Sequence, residues 1–145
     1  LLTYVVSIFD LDPLVNTIAF KDTDVIDVDK ENIYPLVTLQ LLTSPAPSEN
    51  LRSFRIGIEI LNQRDDTKTA TPSKLLTDTN YVDNIGVTDS IGNNFLMEII
   101  KTHNAFDINI ADDSITDFIP VKKDERNMLD GIMFECTFTI HQNDI

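Results

Sequence analysis

The chain has 145 residues, a length that suits one domain, with 42% hydrophobic and 24% charged residues, the composition of a globular protein rather than a disordered one. Eleven Lys and Arg stand against 24 Asp and Glu, a net charge of −13, which is the wrong sign for gripping phosphates by counterion release and argues against tight binding to DNA or an anionic membrane. The single cysteine, Cys136, excludes an internal disulfide, and no apolar stretch approaches the ~20 residues that span a bilayer.

Leu1, Leu2, Val5, Ile8 and Phe9 recur at helical spacing before Asp10, Asp12 and Pro13 stop the run. This reads as the end of an amphipathic helix whose earlier residues are not shown. The run lacks the basic flank and cleavage site of a signal peptide. Leu14 to Phe20 reads as a short strand, followed by an Asp-rich connection from Lys21 to Asn32. Tyr34-Pro35 then opens a second strand, Leu36 to Leu42; proline is tolerated at a strand start because the missing N–H costs little there. Ser44 to Ser48 is a turn by composition. Phe54, Ile56, Ile58 and Ile60 alternate with Arg55, Gly57 and Glu59, the clearest strand in the chain, with one buried face.

Asn62 to Asp78 is polar and longer than the ~12–15 residues that structureless loops usually reach. It reads as an arm, with Arg64, Asp65, Lys68, Pro72, Lys74, Leu75 and Leu76 as candidate assembly residues. From Tyr81 to His103 the period becomes helical, with Val82, Ile85, Ile91, Phe95, Leu96, Ile99 and Ile100 in one stripe, Thr88 and Gly92 as its small members, and Asn104 as a left-handed C-cap. Phe106, Ile108 and Ile110 predict another strand, and Ala111 to Asp130 a variable connection. Gly131 to Ile140 predicts the closing strand, whose core face is Ile132, Phe134, Cys136, Phe138 and Ile140, packed on Phe95, Leu96 and Ile99. The order implies one α+β domain over residues 1–145, a mainly antiparallel sheet flanked by an N-terminal helix and one long helix.

Chemistry is hard to place on this chain. A calcium loop starting at Asp27 needs glycine sixth and glutamate twelfth, but those positions hold Asn32 and Thr38. His103 and His141 lack a second His or Cys at ligand spacing, and His103 suits the helix C-terminal dipole instead. Cys136, on the apolar parity of its strand, reads as a small buried hydrophobe. With four glycines in all, a phosphate cradle is difficult to build, and no nucleophile elbow or metalloprotease motif occurs. The expectation is a protein without catalytic residues, metal or cofactor.

Two stretches are similar to a known family. Leu14-Val15-Asn16-Thr17-Ile18-Ala19-Phe20-Lys21-Asp22 and Ile26-Asp27-Val28-Asp29-Lys30-Glu31-Asn32-Ile33-Tyr34-Pro35-Leu36 follow the patterns V-N-T-[IV]-x-F-G-D and I-D-x-x-K-x-x-I-[FY]-P-L. These patterns mark small neck proteins of phages that infect Bacteroidota. Lys21 replaces the family's glycine and Ile132 its closing-strand Trp. The resemblance implies a tail-terminator-like (tail-completion) fold, with Ile18, Phe20, Ile33 and Leu36 in the core, Pro35 at a strand start, and Asp27 and Asp29 capping a loop.

The function it implies is a structural virion protein, assembled in the host cytoplasm. It forms a homomeric ring between portal and tail, beside other neck or tail proteins. DNA passes the channel without specific binding, and Asp22, Asp24, Asp27 and Asp29, or the loop from Asp107 to Asp113, are candidates to line the lumen. No membrane partner is expected. The rival readings are an acidic protein-binding module and, more remotely, an acid- or metal-dependent hydrolase.

Overall fold

A computed structural model of the chain describes residues 1–20, 33–43, 51–65, 80–111, 113–123 and 128–141. The elements in chain order are α1 (Leu2–Asp10), β1 (Thr17–Ala19), β2 (Leu36–Thr43), β3 (Leu51–Gln63), α2 (Tyr81–Thr102), a 3₁₀ turn (His103–Phe106), β4 (Ile119–Lys123) and β5 (Leu129–His141). They form an α+β fold. Among the described residues, five strands make one sheet in the order β1-β2-β3-β5-β4. Of these described pairs, β1–β2 alone is parallel, and β3 pairs with β5 from Leu51↔His141 to Gln63↔Leu129.

The alternation in β3 and β5 places one parity of each under both helices. Phe54, Ile56, Ile58 and Ile60 pair across the register with Phe138, Cys136, Phe134 and Ile132, and all eight are buried. Val37 and Leu39 of β2 extend this layer, and α1 covers it with Tyr4, Val5, Ile8 and Phe9. The two helices meet through Phe9 and Phe95, stacked with centroids 4.3 Å apart. Gly92 allows α2 to lie close to the sheet, because a Cβ there would come within 2.9 Å of Ile132 Cδ1 and 2.8 Å of Phe118. A smaller cluster, Tyr34, Leu36, Leu61 and Leu129, closes one end of the sheet.

The closing-strand core and its contact with α2 match the expected arrangement, with Leu96 half-buried against it. Several local expectations need correction. Val82 and Ile100 are exposed, and Asn84 joins the expected small members Thr88 and Gly92 in the buried stripe. The left-handed residue after the long helix is Asp107, with φ 54°, and not Asn104. Phe106 ends the 3₁₀ turn beside the Tyr4 ring, 4.9 Å between centroids. Of the strand expected there, only an isolated bridge from Asn109 to Thr139 forms. The connection from Ala111 to Asp130 contains the edge strand β4, and β3 runs on through Asn62 and Gln63.

Candidate functional site

The candidate arm starts inside the fold. Arg64, just past β3, carries its backbone N–H to Met128 O at 2.8 Å and its guanidinium to Asp130. Nε lies 3.2 and 3.1 Å from the two carboxylate oxygens and Nη2 lies 2.7 Å from Oδ1, with the two side chains 7% and 0% exposed. A buried charge survives only when it is paired and hydrogen-bonded. Asn84, also buried, supplies a further donor to Asp130 at 3.4 Å. Its Nδ2 also reaches Gln63 O at 3.1 Å, while its Oδ1 accepts from Asn62 at 3.0 Å. Asn80, the residue before α2, accepts the Asp65 N–H at 2.6 Å and donates to Gln63 O at 3.3 Å.

Arg64 and Asp65, at the start of the stretch expected to be an assembly arm, are therefore tied to the folded domain by a polar clamp. Within the chain the Arg64 guanidinium is met by Asp130 and the Asp65 backbone N–H by Asn80. Lys68, Pro72, Lys74, Leu75 and Leu76 lie outside the described residues, as do Asp22, Asp24, Asp27 and Asp29. Asp107 and Asp113 are exposed where the chain leaves α2. His103 Nδ1 lies 2.8 Å from Ile108 O, which ties the helix end to this turn.

The two motif stretches meet in space. Asn16 Nδ2 donates to Tyr34 O, and the backbone N–H groups of Asn16 and Thr17 both reach Pro35 O, at 3.0 and 3.3 Å. These bonds start the parallel ladder Thr17↔Leu36, Ile18↔Val37, Ala19↔Thr38. Ile18 packs on the main core and Ile33 on the smaller cluster, where Leu36 is buried. Phe20 is 56% exposed and is not a core residue: it lies just past Ala19, where the ladder with β2 ends. The Tyr34–Pro35 bond is cis.

No protein-family model matches the chain, and no curated protein matches it.

The face of the sheet turned away from the helices is charge-balanced. Arg55 pairs with Glu135 at 2.5 Å and Lys123 with Glu59 at 3.0 Å. Between them Gly57 floors a dimple rimmed by Leu42 and Met133. Cys136 lies on the opposite, buried face, and burial pushes its thiol pKa up to about 12, so it is neutral and inert near neutrality. Among the described residues, no three His, Cys, Asp or Glu side chains converge as a metal site would require, and no helix is long and apolar enough to cross a membrane.

Proposed function

We propose that the chain is a structural subunit of a tailed-phage virion, forming a homomeric ring that joins or caps portal and tail. The observation that carries this reading is the meeting of the two motif stretches. Asn16, Thr17, Tyr34 and Pro35 do backbone work, setting β1 against β2. A motif that specifies architecture suits a protein whose task is to hold a shape in an assembly. In the virion, acidic residues, Asp22, Asp24, Asp27 and Asp29 or those from Asp107 to Asp113, line a channel through which DNA passes, because a wall that repels phosphate does not retain it.

Light scattering and negative-stain microscopy of the purified chain over a range of concentrations test the proposal. Closed rings of fixed copy number are the expected result. A chain that stays monomeric at every concentration, and binds an unrelated partner one to one, is instead an acidic protein-binding module. Lumen lining is tested separately: reversing the four aspartates to Lys slows genome ejection from particles without unfolding the subunit. Normal ejection removes the electrostatic role and leaves the ring.

A further inference from the structure

The long helix α2 turns an uncharged face to solvent. Between Asp83 and Lys101 its exposed positions are Gly86, Ser90, Asn93, Asn94, Met97 and Ile100, none of them ionisable. Met97 and Ile100 are 63% and 67% exposed, and so is Val82 at 67%, just outside that span. On a surface helix of a chain with net charge −13, the solvent side is where charged residues belong. The polar members of this face are partly satisfied by their own helix. Ser90 Oγ donates to Gly86 O at 2.9 Å and Asn93 Nδ2 donates to Asp89 Oδ2 at 2.9 Å. Covering the face therefore leaves the hydroxyl and one amide N–H paired.

The pattern also matches itself in reverse. Positions 86, 90, 93, 97 and 100 alternate in steps of four and three residues, the spacing of a seam between two helices packed along their length. When a second α2 is laid antiparallel, centred between Ile91 and Gly92, Met97 of each copy falls on Gly86 of the other, and Asn93 falls on Ser90. A Cβ added at Gly86 would meet nothing within 4 Å, so the helix has an open notch there. Met97 is the flexible, unbranched knob that suits it. The charges select the same direction. Antiparallel copies bring the Asp83 end of one helix to the Lys101 end of the other, whereas parallel copies set Asp83, Asp89 and Glu98 each beside its own duplicate. Lys101 keeps Glu98 of its own helix at 4.0 Å in this arrangement, because the sign of the whole helix end sets the orientation.

We infer that the exposed face of α2 is a docking surface for α2 of a second copy of this chain, the two helices antiparallel about a two-fold axis level with residues 91 and 92. The contact is isologous: each copy gives and receives the same Met97 knob. Its size sets its strength. A helix of 22 residues is about 33 Å long and about 10 Å across, so the pair covers roughly 330 Å² of each copy, under half of the ~800 Å² per partner of a standard interface. The pair is thus a weak one, formed where the chain is concentrated, as it is inside an assembly. The inference goes beyond the ring reading and does not rest on it.

The test uses the full chain as parent, Met97→Glu, Gly86→Ala and Gly86→Lys, together with an equal mixture of Met97→Glu and Gly86→Lys. Sedimentation velocity up to millimolar concentration follows pairing, and circular dichroism follows folding. The parent should exchange between one and two copies. Met97→Glu, at a position too exposed to disturb the fold, should weaken pairing at least about tenfold, because it sets a carboxylate against an apolar seam. Gly86→Ala should raise the unfolding midpoint and yet weaken pairing, a combination that helix propensity alone does not produce. The mixture should pair better than either of its components, because the new carboxylate at position 97 meets the new ammonium at position 86. A parent that stays monomeric at every concentration overturns the inference. So does pairing that Met97→Glu and Gly86→Ala leave unchanged, or a mixture that shows no rescue. Rings formed equally well by the parent and these variants remove this contact and leave the ring reading standing.

Discussion

Removing the carboxylate of Asp130 is the sharpest test of where the folded subunit ends and the arm begins. In Asp130→Ala, the Arg64 guanidinium stays in a pocket where its side chain is 7% exposed, and it loses the three hydrogen bonds of 2.7–3.2 Å that it makes to that carboxylate. Breaking a buried ion pair from one side costs about 3–5 kcal/mol, because the remaining charge must be desolvated without compensation. Arg64→Met costs a similar amount, since it leaves a carboxylate that is 0% exposed. For a domain whose total stability is about 5–15 kcal/mol, either change removes about a fifth of it or more. The midpoint of thermal unfolding then falls by roughly 10 °C. Arg64→Met with Asp130→Leu, which removes both charges, should recover most of the loss. Urea unfolding at pH 7, followed by circular dichroism, measures all three. If Arg64→Met shifts stability by less than about 0.5 kcal/mol, as ordinary surface changes do, Arg64 belongs to the arm after all.

Phe134→Ala, at a ring that is 1% exposed and in contact with Phe95 and Phe118, should cost about 3–5 kcal/mol in the same unfolding assay. Within α2 the same substitution should have opposite signs at two positions. Gly86→Ala, where a Cβ meets nothing within 4 Å, stabilises by about 0.5–1 kcal/mol. Gly92→Ala, pressed against Phe118 and Ile132, destabilises despite its better helix propensity. The Cys136 thiol, raised from 9.0 to about 12, stabilises the fold fully below pH 9. That contribution is lost as the pH rises from 9 to 12, because the unfolded chain releases the proton first. Burial raises Tyr4 in the same direction, and Cys136→Ala should flatten the thiol part of the alkaline decline in pH-dependent unfolding. Deleting residues 67–73 should leave the unfolding midpoint within a few degrees while assembly, measured by light scattering, fails; normal assembly would make that segment a passive connection.

Where hydrophobic periodicity carried the signal, the sequence was legible. β3 and β5 alternate over their central residues, and their partners in the register are the ones the parity demands. α2 was visible from its stripe, small members Thr88 and Gly92 included, although Asn84 holds a place that hydropathy assigns to an exposed neighbour. β4 was missed because an edge strand with Pro120 and two lysines buries little, and its pattern of exposure gives no alternation to read. Phe106, Ile108 and Ile110 do alternate, but only Ile108 is buried, since the 3₁₀ turn and Asp107 redirect the chain before a ladder can start. The polar clamp left almost no trace. Asp130 is one of 24 acidic residues, and its partner Arg64 is 66 positions away in sequence. The pair Asn80 and Asn84 at helical spacing is the one local hint, and short polar side chains at such spacing are common on solvated helices.

The clamp also determines how the chain can vary. The backbone leaves the described fold at Asp65 and returns at Asn80, and these two residues are joined by a hydrogen bond of 2.6 Å. The residues that flank positions 66–79 are thus held together by the fold itself, and the entropic cost of joining two fixed ends grows only slowly with the number of residues between them, by about 0.6 kcal/mol for each doubling. This point in the chain is consequently a tolerant graft site for folding: an epitope or a short reporter peptide spliced between residues 66 and 79 should leave the sheet and both helices intact.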